Sequence, residues 1–261
     1  MKTMTGDIQR HLWGLLPPVD ARQHPLLLSA GLHLLPGALA TAVYVLLAPS
    51  IIRLGFPGLL AAYLVLPAVI IPSELGYLLY QGLHTDGRLS LHGVVLFRAH
   101  LRPWYSVVAV PLLLAWGAIS SGLVAPIDQA LLTTLFARLP EWYRFTDLSH
   151  YATLYASSTL VATLLVGLVL NGIVAPVVEE LYFRGYLLPR LARFGRWAPL
   201  INVCLFSLYH FWTPWQLVSR IVALLPVVYG VWWKRNLYLG ILTHCLLNTL
   251  GMLLMFGLML R

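Results

Sequence analysis

The sequence predicts an all-α fold, a polytopic transmembrane helix bundle of about seven to eight spans forming one integral membrane domain over 1–261. Three observations carry that prediction. Apolar residues make up 59% of the chain, where a soluble domain holds about 45–50%. Charged residues make up only 10%, against about 25% in soluble domains. Mean hydropathy is +0.80, and the apolar residues gather in runs near the roughly 20 residues that cross a bilayer.

The elements follow in order. Residues 1–25, MKTMTGDIQRHLWGLLPPVDARQHP, are too polar and Pro-rich for a cleavable signal and read as a cytoplasmic N-terminal segment. Spans are expected at 26–52, 57–82 and 104–125. The stretch Ile127–Ala152 is amphipathic in its first half and sets Trp142 and Tyr143 beside charges, so it reads as an interfacial segment; an ordinary loop would look the same. A fourth span is expected at 153–178 with a continuation to 190, then shorter ones at 198–212 and 216–233, and a seventh at 237–259. Pro36, Pro67, Pro111, Pro176 and Pro226 lie in or near spans, where neighbouring helices satisfy the carbonyls a kink frees. Cys204 and Cys245 fall inside apolar runs and read as core thiols, not a disulfide.

The formal net charge of +8 does not imply a nucleic-acid partner, because in a membrane protein the location of the positive charges is what carries information. With the N-terminus inside, twelve Lys and Arg fall on cytoplasmic segments and five on outer ones. That bias puts the C-terminus outside in a protein of the cell membrane, the bacterial inner membrane being the expected location. No internal repeat is visible, which counts against a small-molecule transporter.

Ionisable groups inside spans are few, and each is a site hypothesis because a charge in hydrocarbon is costly. They are His33, Glu74, the trio Glu179, Glu180 and Arg184, His210 and His244. Glu180 and Arg184 are i and i+4 and share a helical face, so a salt bridge is expected. Glu179 points about 100° away and needs a partner from another helix. His210 and His244 are the candidates, with Asn248 one turn beyond His244 on the same face. Counting from the cytoplasmic helix ends, Glu179, His210 and His244 lie roughly 16, 20 and 10 Å deep, so one cavity open to the cytoplasm can hold all three. Bland readings stand beside these. A lone membrane histidine often serves as hydrogen-bonding glue, His33 reads as interfacial, and Glu74 after Pro72 and Ser73 reads as a cap on a kink amide. His84, His92 and His100 lie at spacing eight in a cytoplasmic segment, where a metal role is the lesser reading, and Cys245 points to a face other than that of His244.

Three short motifs stand in order on successive spans: EELYFR as EExxxR, FSLYH as FxxxH and HCLLN as HxxxN. This part of the chain, Val174 to Asn248, resembles the CPBP family of intramembrane proteases, the CAAX protease and bacteriocin-processing family, related to the type II CAAX prenyl endopeptidases. The resemblance implies a hydrolase, an intramembrane endopeptidase that cuts near the C-terminus of membrane-anchored or prenylated proteins in the bilayer. It implies Glu179 as general base, His210 as a holder of the attacking water, and His244 with Asn248 as donors to the carbonyl oxygen. Glu180 and Arg184 would brace the helix. Family names include metalloprotease, and Glu179, His210 and His244 are also a three-ligand set that zinc would accept with water in the fourth position. A glutamate-only mechanism needs no metal, and the sequence leaves both open. There is no HExxH, no mid-span aspartate pair and no GxSG. The remaining alternatives are a non-catalytic immunity or scaffold protein of the same family, and a transporter.

Overall fold

The computed structural model describes residues 21–146 and 151–259. Among them the fold is a helical bundle with no strand. Helix α1 (Leu26–Arg53) begins after extended Pro25, and α2 (Gly58–Asp86) begins after extended Pro57. A residue fixed near φ −65° and lacking an N–H is well suited to the boundary of a helix. The two helices pack as an antiparallel pair. Helix α3 (Pro103–Thr133) carries Pro103 in its first turn and packs on α7 (Leu217–Lys234).

The next element is a helix of changing pitch. It opens as α4 (Ser157–Val169), widens to π-helix at Leu170–Val174, and returns to α-helix in α5 (Ala175–Glu179). It widens again at Glu180–Leu187 and tightens to 3-10 helix at Leu188–Trp197. Two prolines account for much of this. Pro176 offers no N–H and its ring clashes with the carbonyl four residues back, so the turn ahead of it opens to the i→i+5 pattern. Pro189 likewise frees the Gly185 carbonyl, which accepts the Leu96 N–H at 2.8 Å. Gly195, at φ 54° and ψ −129°, breaks the helix in a conformation open to glycine alone at low cost.

Helix α6 (Ala198–Tyr209) follows, then α7 and α8 (Leu237–Met259). Six helices are long and apolar enough to cross a membrane when Ser157–Tyr209 is taken as one unit. Divided at Gly195 that unit gives two arms, and seven segments result. The second arm, α6, has 12 residues and is about 18 Å long, short of the roughly 30 Å hydrocarbon core. The fold class expected from sequence therefore holds, with six rather than seven full-length helices.

Other local expectations changed. Ile127–Thr133 simply continue α3. The chain beyond them folds onto the bundle as turns: Tyr143 and Phe145 are buried, Tyr143 Oη donates to the Phe211 carbonyl at 2.8 Å, and Tyr44 Oη donates to the Trp142 carbonyl at 3.0 Å. Burial pushes the Tyr143 hydroxyl up to about 12. Residues 147–150 of the expected interfacial segment lie outside the described residues, and its last two, Tyr151 and Ala152, begin a short helix (Tyr151–Leu154). Residues 1–20 of the N-terminal segment also lie outside them. What is described of that segment is docked. His24 N donates to the Arg190 carbonyl at 2.9 Å, and the Gln23 carboxamide accepts from Arg193 N at 2.8 Å. His33 is not interfacial but fully buried; its Nδ1 donates to Ser29 O at 2.7 Å and its Nε2 accepts from Asn202 Nδ2 at 3.0 Å. The same Asn202 amide donates to the Phe183 carbonyl, tying α1, α6 and the π-helical stretch together. Both cysteines are free.

Candidate active site

The chemistry-bearing residues sit where the long helix is widest. Glu179 ends α5 and Glu180 opens the π-helical turn. Both are buried, 5% and 1% exposed, as is Arg184 at 1%. The expected i,i+4 pair is present: Arg184 Nε lies 3.5 Å from Glu180 Oε2. The guanidinium also stacks 4.0 Å over the Phe206 ring, a cation–π contact that gives the Phe of FxxxH a physical task.

His244, on α8, meets both glutamates. Its Nδ1 donates to Glu180 Oε1 at 3.1 Å, and its Nε2 lies 3.8 Å from Glu179 Oε2, an ion-pair distance and not a hydrogen bond. Adjacent carboxylates can converge in this way because an i→i+5 turn holds more residues than an α-turn, so successive side chains diverge by less than 100°. This differs from expectation on two points. Glu180 has a second partner besides Arg184, and both nitrogens of His244 face carboxylates, whereas the resemblance had it facing a carbonyl oxygen.

Glu179 has a further neighbour that the sequence reading missed: Tyr209 Oη donates to its Oε1 at 3.3 Å. His210, the next residue, caps α6. Its Nδ1 bonds to the Phe206 carbonyl at 2.8 Å, and since a carbonyl only accepts, Nδ1 carries the proton. Neutral His210 then presents an Nε2 lone pair. Asn248 gives one N–H to the Asn171 carbonyl at 2.9 Å, leaving its second amide N–H for another acceptor. Asn171 lies in the first π-helical stretch. Glu74, expected to cap a kink amide, is fully buried with no hydrogen-bond partner among the described residues for either oxygen. The groups that act on it are Glu179, Tyr209 and Arg184.

A cavity of about 420 Å³ unites these groups; Glu179, His210, His244 and Asn248 all line it. Glu180 and Arg184 stand behind that wall, in supporting positions. The rest of the lining is largely apolar, with Tyr63, Leu66, Leu247 and Met252 among its residues. Arg220 of α7 also lines it. Arg220 was one of the five Lys and Arg counted to the outer side; its position inside LVSRIVALLPVV is the signal that could have flagged it, a cation within an apolar run. Tyr209 offered a weaker signal, since a buried tyrosine hydroxyl ordinarily finds a partner. Among the described residues no group of three or more His, Cys, Asp or Glu is arranged to hold a metal ion. Both His244 nitrogens face carboxylates.

Residues 161–250 match the family model described as Rce1-like, type II CAAX prenyl endopeptidase Rce1-like. That segment spans all three motifs, and the match agrees with the resemblance they carried. It supports CAAX-type protease activity in general, and with six apolar helices it marks an integral membrane protein. No curated protein and no solved structure matches the chain.

Proposed function

We propose that the protein is an intramembrane endopeptidase that cuts a peptide bond near the C-terminus of a membrane-anchored substrate. The observation that carries this reading is the meeting of Glu179, His210, His244 and Asn248, from three separate helical elements, on the wall of one cavity with an apolar lining. Amide hydrolysis needs a base for water and donors for the developing oxyanion. Glu179 is the base: its carboxylate lines the cavity, and Tyr209 and His244 hold it in place. His210 Nε2, left as an acceptor by the Phe206 contact, helps orient the water whose proton Glu179 takes. Asn248 directs its remaining N–H at the carbonyl oxygen, and an amide donates without changing its charge. His244 fixes the two carboxylates, with its Nδ1–H on Glu180 and its Nε2 beside Glu179. Glu180 and Arg184 hold His244 and the π-helical turn from behind.

A lipid anchor suits the apolar wall of the cavity, and prenylated tails or C-terminal sorting segments of exported proteins are the substrate classes in view. We place the N-terminus in the cytoplasm from the twelve-to-five charge bias; single cysteines introduced within 190–196 are expected to label from the cytoplasmic face. The functional test is cleavage by the purified protein in nanodiscs. A membrane-anchored peptide is expected to be cut, and soluble casein is not. Efficient casein cleavage, or no cleavage of any anchored peptide, would overturn the reading and favour a non-catalytic scaffold.

A further inference from the structure

We infer that Arg220 is a specificity residue that binds the free C-terminal carboxylate of the substrate. The inference rests on the peptidase reading and adds to it the chemistry of the chain end. Among the described residues Arg220 is the single Lys or Arg that lines the cavity, and Glu179 is the single Asp or Glu there. It stands in the first turn of α7, where the positive end of the helix dipole disfavours a cation, so its place there needs another cause. Among the described residues no carboxylate lies within ion-pair distance of it; the ion pairs formed there involve Arg184 and His244. Asp128 and Glu179 act on it only from farther away.

The guanidinium is nevertheless held in place. Nη2 donates to Thr213 Oγ1 at 2.8 Å and Gln216 Oε1 at 3.2 Å, and Nη1 reaches the Ser207 carbonyl at 3.5 Å. All three acceptors are neutral. They take three of the five N–H donors of an arginine and leave two for a ligand. The arrangement is a rigidly mounted cation facing a cavity that also holds the hydrolytic carboxylate. A polypeptide threaded through the cavity would bring only neutral amides to it and leave the guanidinium desolvated without a counter-charge. A polypeptide that ends there brings an α-carboxylate, the planar anion a guanidinium matches best. The short distance that a shared cavity imposes between Arg220 and Glu179 then ties the cut to the last few residues of the substrate.

The test uses a lipidated fluorogenic peptide made in two forms, with a free C-terminal carboxylate and with a C-terminal amide, on the full chain in nanodiscs. Wild type is expected to favour the acid by about 10- to 100-fold in kcat/KM, the range for hydrogen bonds between charged partners. The difference is expected mainly in KM. In Arg220→Gln the acid-to-amide ratio falls to about one, and in Arg220→Lys it keeps part of its value. Each ratio is taken within one protein, so a lower folded yield does not change it. Equal use of acid and amide by wild type, or an unchanged ratio in Arg220→Gln, overturns the inference. A second arm measures binding of both peptides to Glu179→Gln, with and without Arg220→Gln. If nothing is cleaved but the acid binds more tightly through Arg220, the peptidase reading fails and the carboxylate site stands. If cleavage occurs without discrimination in either arm, the reverse holds.

Discussion

Replacing Glu180 by glutamine is the perturbation whose consequence the structure defines most closely. Glu180 is 1% exposed and its two oxygens serve two partners: Oε2 faces Arg184 Nε at 3.5 Å, and Oε1 accepts from His244 Nδ1 at 3.1 Å. Glutamine keeps the shape and removes the charge. It leaves Arg184, also 1% exposed, with the Phe206 ring and the more distant Glu179 and Glu74 to offset its cation. Removing one partner of a buried ion pair costs about 3–5 kcal/mol. Against a total stability of about 5–15 kcal/mol that is a large share. It corresponds to a fall in melting temperature of about 6–20 °C for a chain of this size. The assay is thermal unfolding in detergent together with the monodisperse yield from size-exclusion chromatography. The double variant Glu180→Gln, Arg184→Gln removes the stranded charge and is expected to regain part of the loss, because a neutral pair avoids the desolvation cost. A Glu180→Gln protein with wild-type yield and melting temperature would refute the argument, and so would a double variant no better than the single one.

Three further outcomes follow from the same geometry. A Cβ on Gly240 would run into the Glu180 carboxylate and close on Val231, so Gly240→Ala is expected to lower both yield and cleavage rate, and wild-type behaviour in both would contradict that packing. Tyr209→Phe removes the hydroxyl that donates to Glu179 at 3.3 Å; cleavage per folded molecule is expected to fall about tenfold, the equivalent of roughly 1.4 kcal/mol for a hydrogen bond to a charged group. His24 is held down to about 4 by burial first and by Arg190 and Arg22 next. Docking of 23–24 is therefore at full strength above pH 6.5, and it weakens as pH falls toward 4, because only the released histidine takes up a proton in that window. The protection factor of the Arg193 amide, with exchange taken relative to the intrinsic rate at each pH, should fall over that window, and a pH-independent protection factor would count against this account.

The parts of the molecule written in local pattern were legible in the sequence. Apolar runs placed most helix ends to within about four residues, although α3 runs eight residues past its expected end at 125, and the i,i+4 spacing of Glu180 and Arg184 gave their ion pair. Counting residues along spans brought Glu179, His210 and His244 toward one depth, and the cavity they share agrees with that. What was not legible depends on distant partners or on helix pitch. No residue type signals a π-helical turn, and without one the sequence reading separated Glu179 from Glu180 by a full α-helical step; in the structure both reach His244. His33 read as interfacial because its partner Asn202 is 169 residues away. Arg220 was assigned by a charge tally that treats every arginine as solvated, which fails for one that faces a cavity. The stretch Ile127–Ala152 read as interfacial because it opens with the end of α3 and then buries aromatics against Tyr44 and Trp215, contacts that no periodicity encodes.

In the proposed mechanism Glu179 takes the proton from the attacking water. That role is tested most directly by cleavage of a membrane-anchored peptide with Glu179→Gln, measured per folded molecule beside wild type and Glu180→Gln. Glutamine preserves the shape and relieves a buried charge, so yield and melting temperature should stay close to wild type. The rate should fall by at least about 10²-fold, the lower end for loss of a general base. Full cleavage by Glu179→Gln, with Glu180→Gln folded but inactive, would reverse the roles of the two carboxylates and contradict the account.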